Sequence, residues 1–224
     1  MKEFYVKVFA IASKDILLEL RTKEVATSVL VFALLVLVIF NFAFEPGANT
    51  IVLMAPGILW VGYTFAGVLG LNRTFATEKE NACLDGLMLC PMDRSVIYWG
   101  KLVGSFTFML VVEAIITPIF LILFNLPLVM PGLVLIIVLA TLGFTSVGTL
   151  FSALAANTKA REIMLPILFF PIVAPIIIAA VEATGVVLEG GPLAGTSTWL
   201  QIMVAFDVIF LVVSSLVFEF VIEK

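Results

Sequence analysis

The length, composition and charge of the chain exclude an ordinary water-soluble domain. Of its 224 residues, 62% are apolar and only 12% are charged, and the mean hydropathy is +1.24. Soluble domains are about 45–50% apolar and about 25% charged, so this surplus of apolar surface requires a lipid bilayer as its solvent. The two cysteines, Cys83 and Cys90, have the spacing of neither a redox pair nor a common zinc site, and histidine is absent.

The N-terminal segment, residues 1–24, predicts an amphipathic helix at a membrane interface. Its apolar residues recur at three- and four-residue steps and therefore share one helical face. The members of this face are Phe4, Tyr5, Val8, Phe9, Ala12, Ile16 and Leu20. Lys2, Lys7, Lys14 and Glu19 lie largely on other faces. Since the segment is too polar to span a bilayer, we expect it to lie flat on the cytoplasmic surface, with or without a role beyond anchoring.

Six apolar segments follow, each of about the 20 residues that a helix needs to cross the hydrocarbon core. They are Val25–Phe44, Ile51–Leu71, Leu102–Phe124, Leu133–Ala156, Ile163–Val181 and Trp199–Val221. The sequence therefore predicts an all-α integral membrane protein with six transmembrane helices.

The placement of lysine and arginine predicts the orientation of these spans. The connections 45–50, 125–132 and 182–198 contain neither residue, so all twelve lysines and arginines fall on the other side of a six-span arrangement. The positive-inside rule makes that side cytoplasmic. Both termini are therefore expected in the cytoplasm.

The long cytoplasmic connection, Asn72–Lys101, predicts a short amphipathic helix. Thr77 and Glu80 have the spacing of a capping box, and Pro91 stops the helix. Its apolar face consists of Leu84, Leu87 and Met88. Asp93 stands where it can cap the third span. The apolar face must cover either the membrane surface or a cytoplasmic partner, and the pattern alone leaves both open.

Small residues and prolines mark helix contacts within the spans. Small residues let helices approach closely in lipid. They are Gly57, Gly62, Gly67 and Gly70 in the second span, and Gly143, Ser146, Gly148 and Ser152 in the fourth. Pro166, Pro171 and Pro175 predict a kinked or broken fifth span. Tight packing within a bundle is favoured over a gating hinge.

Two acidic residues inside the spans, Glu113 and Asp207, form a candidate intramembrane polar site. A carboxylate at the bilayer centre costs about 2.5–3.5 kcal/mol on insertion scales, so it faces a partner or a water-filled cavity. No lysine or arginine is expected at matching depth, which leaves hydroxyl partners such as Thr117 and Ser214. A transport role and a structural contact between protomers both remain open.

Nothing in the sequence predicts catalysis. There is no histidine for a metal or haem, no phosphate-binding glycine loop around Gly100-Lys101, and no nucleophile with a neighbouring base. No basic patch indicates a nucleic-acid partner. We therefore expect a non-catalytic membrane subunit, with any ATP hydrolysis carried out by a separate chain.

Three stretches carry a resemblance to a known family. KDILLELRTKE near the start, EKENACLDGLMLCPMDRSVIYWGK in the long connection, and REIMLPILFFPIVAPIIIAA near the fifth span together resemble the CcmB family. This family comprises the permease B subunits of the cytochrome c maturation ABC exporters. The resemblance extends along the entire chain in length and span count.

The resemblance implies a single permease domain, residues 1–224, with the type-2 ABC exporter fold. In this family two permease copies pair with two ATPase A subunits, a haem-handling C subunit and a small D subunit in the bacterial inner membrane. ATP bound to the ATPase drives release of the haem-loaded chaperone E. The complex handles haem, while the permease itself is expected to bind no cofactor directly.

The resemblance also implies roles for two segments. Residues 1–24 resemble the interfacial elbow helix of this class, and the helix within 72–101 resembles the coupling helix that docks into the ATPase. Its site residues would be Glu80, Leu84, Asp85, Leu87 and Met88.

Two other functions remain as alternatives. One is a non-transporting membrane scaffold that holds the haem-handling protein. The other is an ATP-independent secondary carrier or channel that uses Glu113 and Asp207.

Overall fold

Long α-helices form the described part of the chain, which in this computed structural model comprises residues 2–43, 49–80, 86, 90, 93–127, 130–156 and 161–222. The helices are α1 (Lys2–Thr22), α2 (Glu24–Ala43), α3 (Asn49–Glu80), α4 (Arg94–Leu123), α5 (Pro131–Ala156), α6 (Arg161–Leu188) and α7 (Ser197–Ile222). A 3-10 turn, Leu193–Thr196, precedes α7. No strand occurs within these residues.

Six of these helices, α2 to α7, are long and apolar enough to cross a membrane, which confirms the predicted span count. The third helix begins at Arg94 rather than at the predicted Leu102, because its first two turns extend beyond the apolar segment. The predicted break in the fifth span is wrong: α6 continues through Pro166, Pro171 and Pro175. Pro171 and Pro175 lie on the exposed face of α6, where their rings displace no neighbouring helix.

The centre of the bundle is formed by α3 and α5. Their spanning segments are 67% and 72% buried, against 17% for α2 and 22% for α7. The outer helices therefore present most of their apolar surface to lipid or to another chain, while α3 and α5 contact mainly protein.

Glycines allow the close contacts around α5, as predicted. The Phe144 ring occupies the space that a Cβ at Gly67 would need, and Leu71 occupies the corresponding space at Gly148. Gly57 and Gly62 differ, since a Cβ at either position would meet nothing within 4 Å. Only some of the glycines in α3 are therefore required by packing within this chain.

A second cluster of buried residues lies at the end of the bundle where α1 packs. This α1 cluster consists of Val8, Ile11, Val96, Ile97, Tyr98, Leu102, Leu150, Ala153 and Phe218. It joins α1 to the start of α4 and to the ends of α5 and α7. Because it contains residues near both termini, the two ends of the chain lie at the same end of the bundle.

The helix predicted from the N-terminal pattern is confirmed, although its buried face is narrower than the predicted apolar face. Val8 and Ala12 are buried against the bundle together with Ile11, which the pattern did not include. Tyr5, Phe9 and Leu20, from the predicted face, are exposed. The helix therefore has a packed face, an exposed apolar face and a charged face.

Candidate functional site

Glu113 lies near the middle of α4 and faces the bundle interior, with 2% of its surface exposed. It is ten residues, or about 15 Å of helix, from the end of α4 at Leu123, which is half of a bilayer core. Its partner is Thr141 on α5, whose hydroxyl lies 2.8 Å from both carboxylate oxygens. A hydroxyl has one proton, so it donates to one of the two oxygens at a time.

The predicted partner Thr117 lies beside Glu113 but binds a different group. Its hydroxyl donates to the backbone carbonyl of Glu113, one helical turn earlier. Since the Thr117 proton is used in that bond, the Tyr63 hydroxyl on α3, 2.6 Å from Thr117 Oγ1, must be the donor between these two residues. A chain of polar groups therefore joins α3, α4 and α5 at this depth.

A small cavity lies against these groups. Its polar lining comes from Trp60, Tyr63, Thr64, Glu113 and Thr141, and its apolar lining from Met109, Ala140, Phe144, Ile176 and Ile177. The space open to the centre of a water molecule is about 10 Å³, which is about what one water needs. The Trp60 indole donates to Thr184 Oγ1 at 2.9 Å and links α3 to α6 beside the cavity.

Asp207 lies ten residues into α7 and is 4% exposed. Neither of its carboxylate oxygens has a hydrogen-bond partner among the described residues, so the predicted bond to Ser214 is absent. Asp207 Oδ1 instead occupies the space beside Gly143 on α5, where a Cβ would overlap it. The two acidic side chains thus approach α5 at Thr141 and Gly143, two residues apart.

The predicted coupling residues fall almost entirely outside the described part of the chain. Leu84, Asp85, Leu87 and Met88 lie outside it, and Glu80 is the last residue of α3 with a side chain that is also outside. Within the predicted helix only Gly86 is described, and it is helical and exposed.

Asp93 occupies the N-cap position of α4, but its role differs from the one predicted. Its side chain makes no capping hydrogen bond, and its backbone carbonyl accepts from the Val96 N–H at 3.0 Å. The extended conformation of Asp93 (φ −65°, ψ 140°) sets the start of the helix without a side-chain cap.

An ion pair between α1 and α4 is not predicted by the sequence pattern. Lys101 Nζ lies 2.8 Å from Asp15 Oδ2, with Lys101 1% and Asp15 19% exposed. The pattern places Lys101 only among the charges of the cytoplasmic connection. A signal is nevertheless present in Gly100 and Gly104, one helical turn apart and flanking Lys101, because small residues at this spacing mark a close helix contact.

Metal binding finds no support among the described residues, where no group of three or more Cys, Asp or Glu side chains could hold an ion. The arrangement at the middle of the bundle is instead a set of buried carboxyl, hydroxyl and indole groups that link four helices.

The sequence matches known proteins along most of its length. Residues 6–223 match the family model described as "CcmB protein". The chain is 26% identical to "Heme exporter protein B" of Pseudomonas aeruginosa over 186 residues, 83% of each chain. It is 28% identical to the protein of the same name from Bradyrhizobium diazoefficiens, over 81% of this chain and 82% of the relative. With the protein of that name from Paracoccus denitrificans the identity is 30%, over 69% of this chain and 71% of the relative.

Proposed function

Because this chain belongs to the CcmB family, we propose that it is the membrane-spanning permease subunit of an ATP-driven ABC complex that handles haem for cytochrome c maturation. The observation that carries the proposal is the family match over residues 6–223 of a chain with six membrane-spanning helices. The curated relatives are named as haem exporters, which supports haem as the substrate of the complex. The whole chain, residues 1–224, acts as one permease domain.

The permease lies in the bacterial inner membrane with both termini in the cytoplasm. The α1 cluster supports the placement of the two termini on one side, since it contains Val8 and Phe218. The positive-inside rule supports the cytoplasm as that side, because the long connection and the N-terminal segment carry most of the lysine and arginine. The relatives are bacterial proteins.

Energy enters from a separate ATPase chain through the connection between α3 and α4. Leu84, Leu87 and Met88 fill an apolar groove of the ATPase, and Glu80 and Asp85 meet basic residues at its rim. Closure of the ATPase dimer pushes the 80–90 segment and tilts α3 and α4. This motion reaches the haem-handling C protein of the complex and releases the haem-loaded chaperone E.

The complex contains two copies of this chain, two copies of the A-type ATPase, the haem-handling C protein and the small D protein. ATP binds to the ATPase, and haem is handled by the complex without a ligand from this chain. The absence of histidine from the sequence supports this division of labour, since it leaves the chain without the commonest haem ligand.

An ATP-independent carrier is the second candidate, favoured by the burial of Glu113 and Asp207 in the middle of the bundle. The local geometry supports a packing role more strongly. Glu113 is already bonded to Thr141, and the cavity beside it has room for about one water molecule. Asp207 is packed into the space beside Gly143 rather than into a cavity.

A complementation experiment tests the proposal. The chain is expressed in a bacterium that lacks its own CcmB-family permease, and haem-containing cytochromes c are measured by haem staining. We expect restoration only when the partner ATPase can hydrolyse ATP, with a hydrolysis-deficient ATPase as the matched control. Full restoration with the deficient ATPase would favour the carrier.

A further inference from the structure

We propose that α1 and the first turns of α4 form one rigid unit, in which Lys101, Asp15 and Gly100 position α1 so that it moves together with α4. The inference rests on the proposed function and assigns α1 a part in transmitting the ATPase motion, beyond anchoring the chain.

The ion pair is the first contact that fixes α1. The ammonium group of Lys101 is almost completely buried and lies 2.8 Å from Asp15 Oδ2. A buried lysine requires a partner, because removing an unpaired charge from water is costly. Asp15 Oδ1 also lies 3.3 Å from the more exposed Lys14. Asp15 is therefore held by charges on both helices.

The close approach of the two backbones is the second contact. Gly100 has no Cβ, and Ile11 of α1 occupies that space: a Cβ there would lie 2.7 Å from Ile11 Cβ and 2.8 Å from its Cγ2. At Gly104, one turn later, a Cβ would lie 3.5 Å from Asp15 Cβ and 3.7 Å from Ala12 Cα, which is ordinary contact. Sliding of α1 along α4 would thus be opposed by Ile11 at one end of this surface.

The α1 cluster is the third contact, and it extends the unit to the ends of α5 and α7. Val8 and Ile11 pack there with residues of α4, and the Tyr98 hydroxyl lies 3.2 Å from the Ser146 carbonyl of α5. This cluster is separate from the main core between α3, α5 and α6. The separation allows the α1 end of the bundle to move as a body relative to the middle.

The position of α4 in the chain gives the unit its mechanical meaning. Helix α4 begins at Arg94, directly after the connection that contains the proposed coupling segment. Lys101 is seven residues into α4, about two turns from that start. A displacement of the connection therefore reaches α1 through two turns of continuous helix.

The exposed surface of α1 determines what the unit moves against. Tyr5, Phe9 and Leu20 are 58–63% exposed and form an apolar strip beside the face packed on α4. Such a strip inserts into the headgroup and acyl boundary of a bilayer. A tilt of α4 would accordingly tilt α1 within the membrane interface.

A covalent lock tests whether the two helices move as one. In a background with Cys83 and Cys90 replaced by serine, the substitutions Ala12→Cys and Gly104→Cys place two thiols across the contact, where the backbone separation suits a disulfide. We expect the oxidised complex to retain cytochrome c maturation per ATP hydrolysed within twofold of its reduced form. A loss of more than tenfold on oxidation, reversed by reductant, would show that α1 must separate from α4 and would overturn the proposal.

A matched pair of glycine substitutions tests whether the positioning of α1 matters. Gly100→Ala displaces Ile11, whereas Gly104→Ala makes only ordinary contacts, so we expect a loss of threefold or more in maturation per ATP for the first and less than twofold for the second. The readout is restricted to complexes that retain the ATPase at wild-type stoichiometry and hydrolyse ATP, which separates a positioning defect from failed assembly. Equal activity of the two variants would contradict the proposal.

The test is distinguishable from failure of the proposed function. If the unsubstituted chain neither associates with an ATPase nor supports maturation, the proposed function fails and these ratios are not reached. If it does both and the lock still abolishes maturation, only the rigid unit of α1 and α4 is wrong.

Discussion

Substitution of Gly143 by alanine gives the sharpest test of the packing between α5 and the two helices that carry Ile176 and Asp207. A Cβ at this position would overlap Ile176 Cδ1 and Asp207 Oδ1, and would lie 2.9 Å from Phe206 Cδ1. None of these atoms belongs to an exposed, freely moving side chain. The substitution therefore forces α6 or α7 away from α5.

The magnitude follows from two opposing terms. Overpacking of a close-packed interior costs about 1–3 kcal/mol. Alanine is favoured over glycine inside a helix by about 0.5–1 kcal/mol. The net expectation is that Gly143→Ala lowers the free energy of unfolding by about 1–2 kcal/mol.

Gly62→Ala is the matched control, because Gly62 lies in the interior helix α3 but a Cβ there would meet nothing within 4 Å. Only the helix-propensity term applies to it, so the free energy of unfolding should stay unchanged or rise by up to about 1 kcal/mol. The measurement is reversible unfolding of the purified chain by an SDS titration in mixed micelles, followed by circular dichroism.

A second substitution identifies the atoms responsible. Ile176→Val removes Cδ1, one of the three overlapping groups, and should recover part of the loss when it is combined with Gly143→Ala. A coupling energy of about 0.5 kcal/mol or more between the two sites is expected for groups in direct contact. Equal stability of Gly143→Ala and Gly62→Ala, or strict additivity with Ile176→Val, would refute the close packing described for α5.

Three further predictions follow from the site and the topology. Glu113→Gln and Asp207→Asn should each leave cytochrome c maturation within twofold of the unsubstituted chain, and loss of a proton-coupled flux in either variant would instead favour the carrier. Tyr98→Phe removes a buried hydroxyl that bonds α5 and should cost about 0.5–1.5 kcal/mol in the same SDS titration, whereas no change would exclude that bond. With Cys83 replaced by serine, the exposed Cys90 should react with a membrane-impermeant maleimide in inverted vesicles but not in intact cells, and the reverse pattern would contradict the proposed orientation.

The sequence was sufficient for the main features of the fold because the bilayer imposes them directly. Each apolar run of about 20 residues becomes a spanning helix, since no other structure satisfies the backbone within lipid. Pro171 and Pro175 wrongly indicate a break in α6 because a proline removes only one backbone bond. When its ring faces outward, as at these two positions, the helix continues around it.

The contacts between helices could be predicted only in part, because periodicity does not identify the helix that a side chain meets. Gly67 and Gly62 look alike in the sequence, yet only Gly67 faces an aromatic ring of α5. The pairing of Lys101 with Asp15 depends on α1 folding back onto α4, which no local pattern contains. Asp207 likewise could not be matched to a partner, since the space it fills is the missing side chain of Gly143.

The central claim, that this chain is the permease of an ATP-driven complex, is tested most directly by its association with an ATPase. The chain is purified by affinity in mild detergent from its host membranes, and its partners are identified by mass spectrometry, alongside a Leu87→Asp variant. Recovery of an ABC ATPase with the unsubstituted chain, and its loss with Leu87→Asp at unchanged expression, is the predicted result. Recovery of the chain alone in several mild detergents would contradict the account.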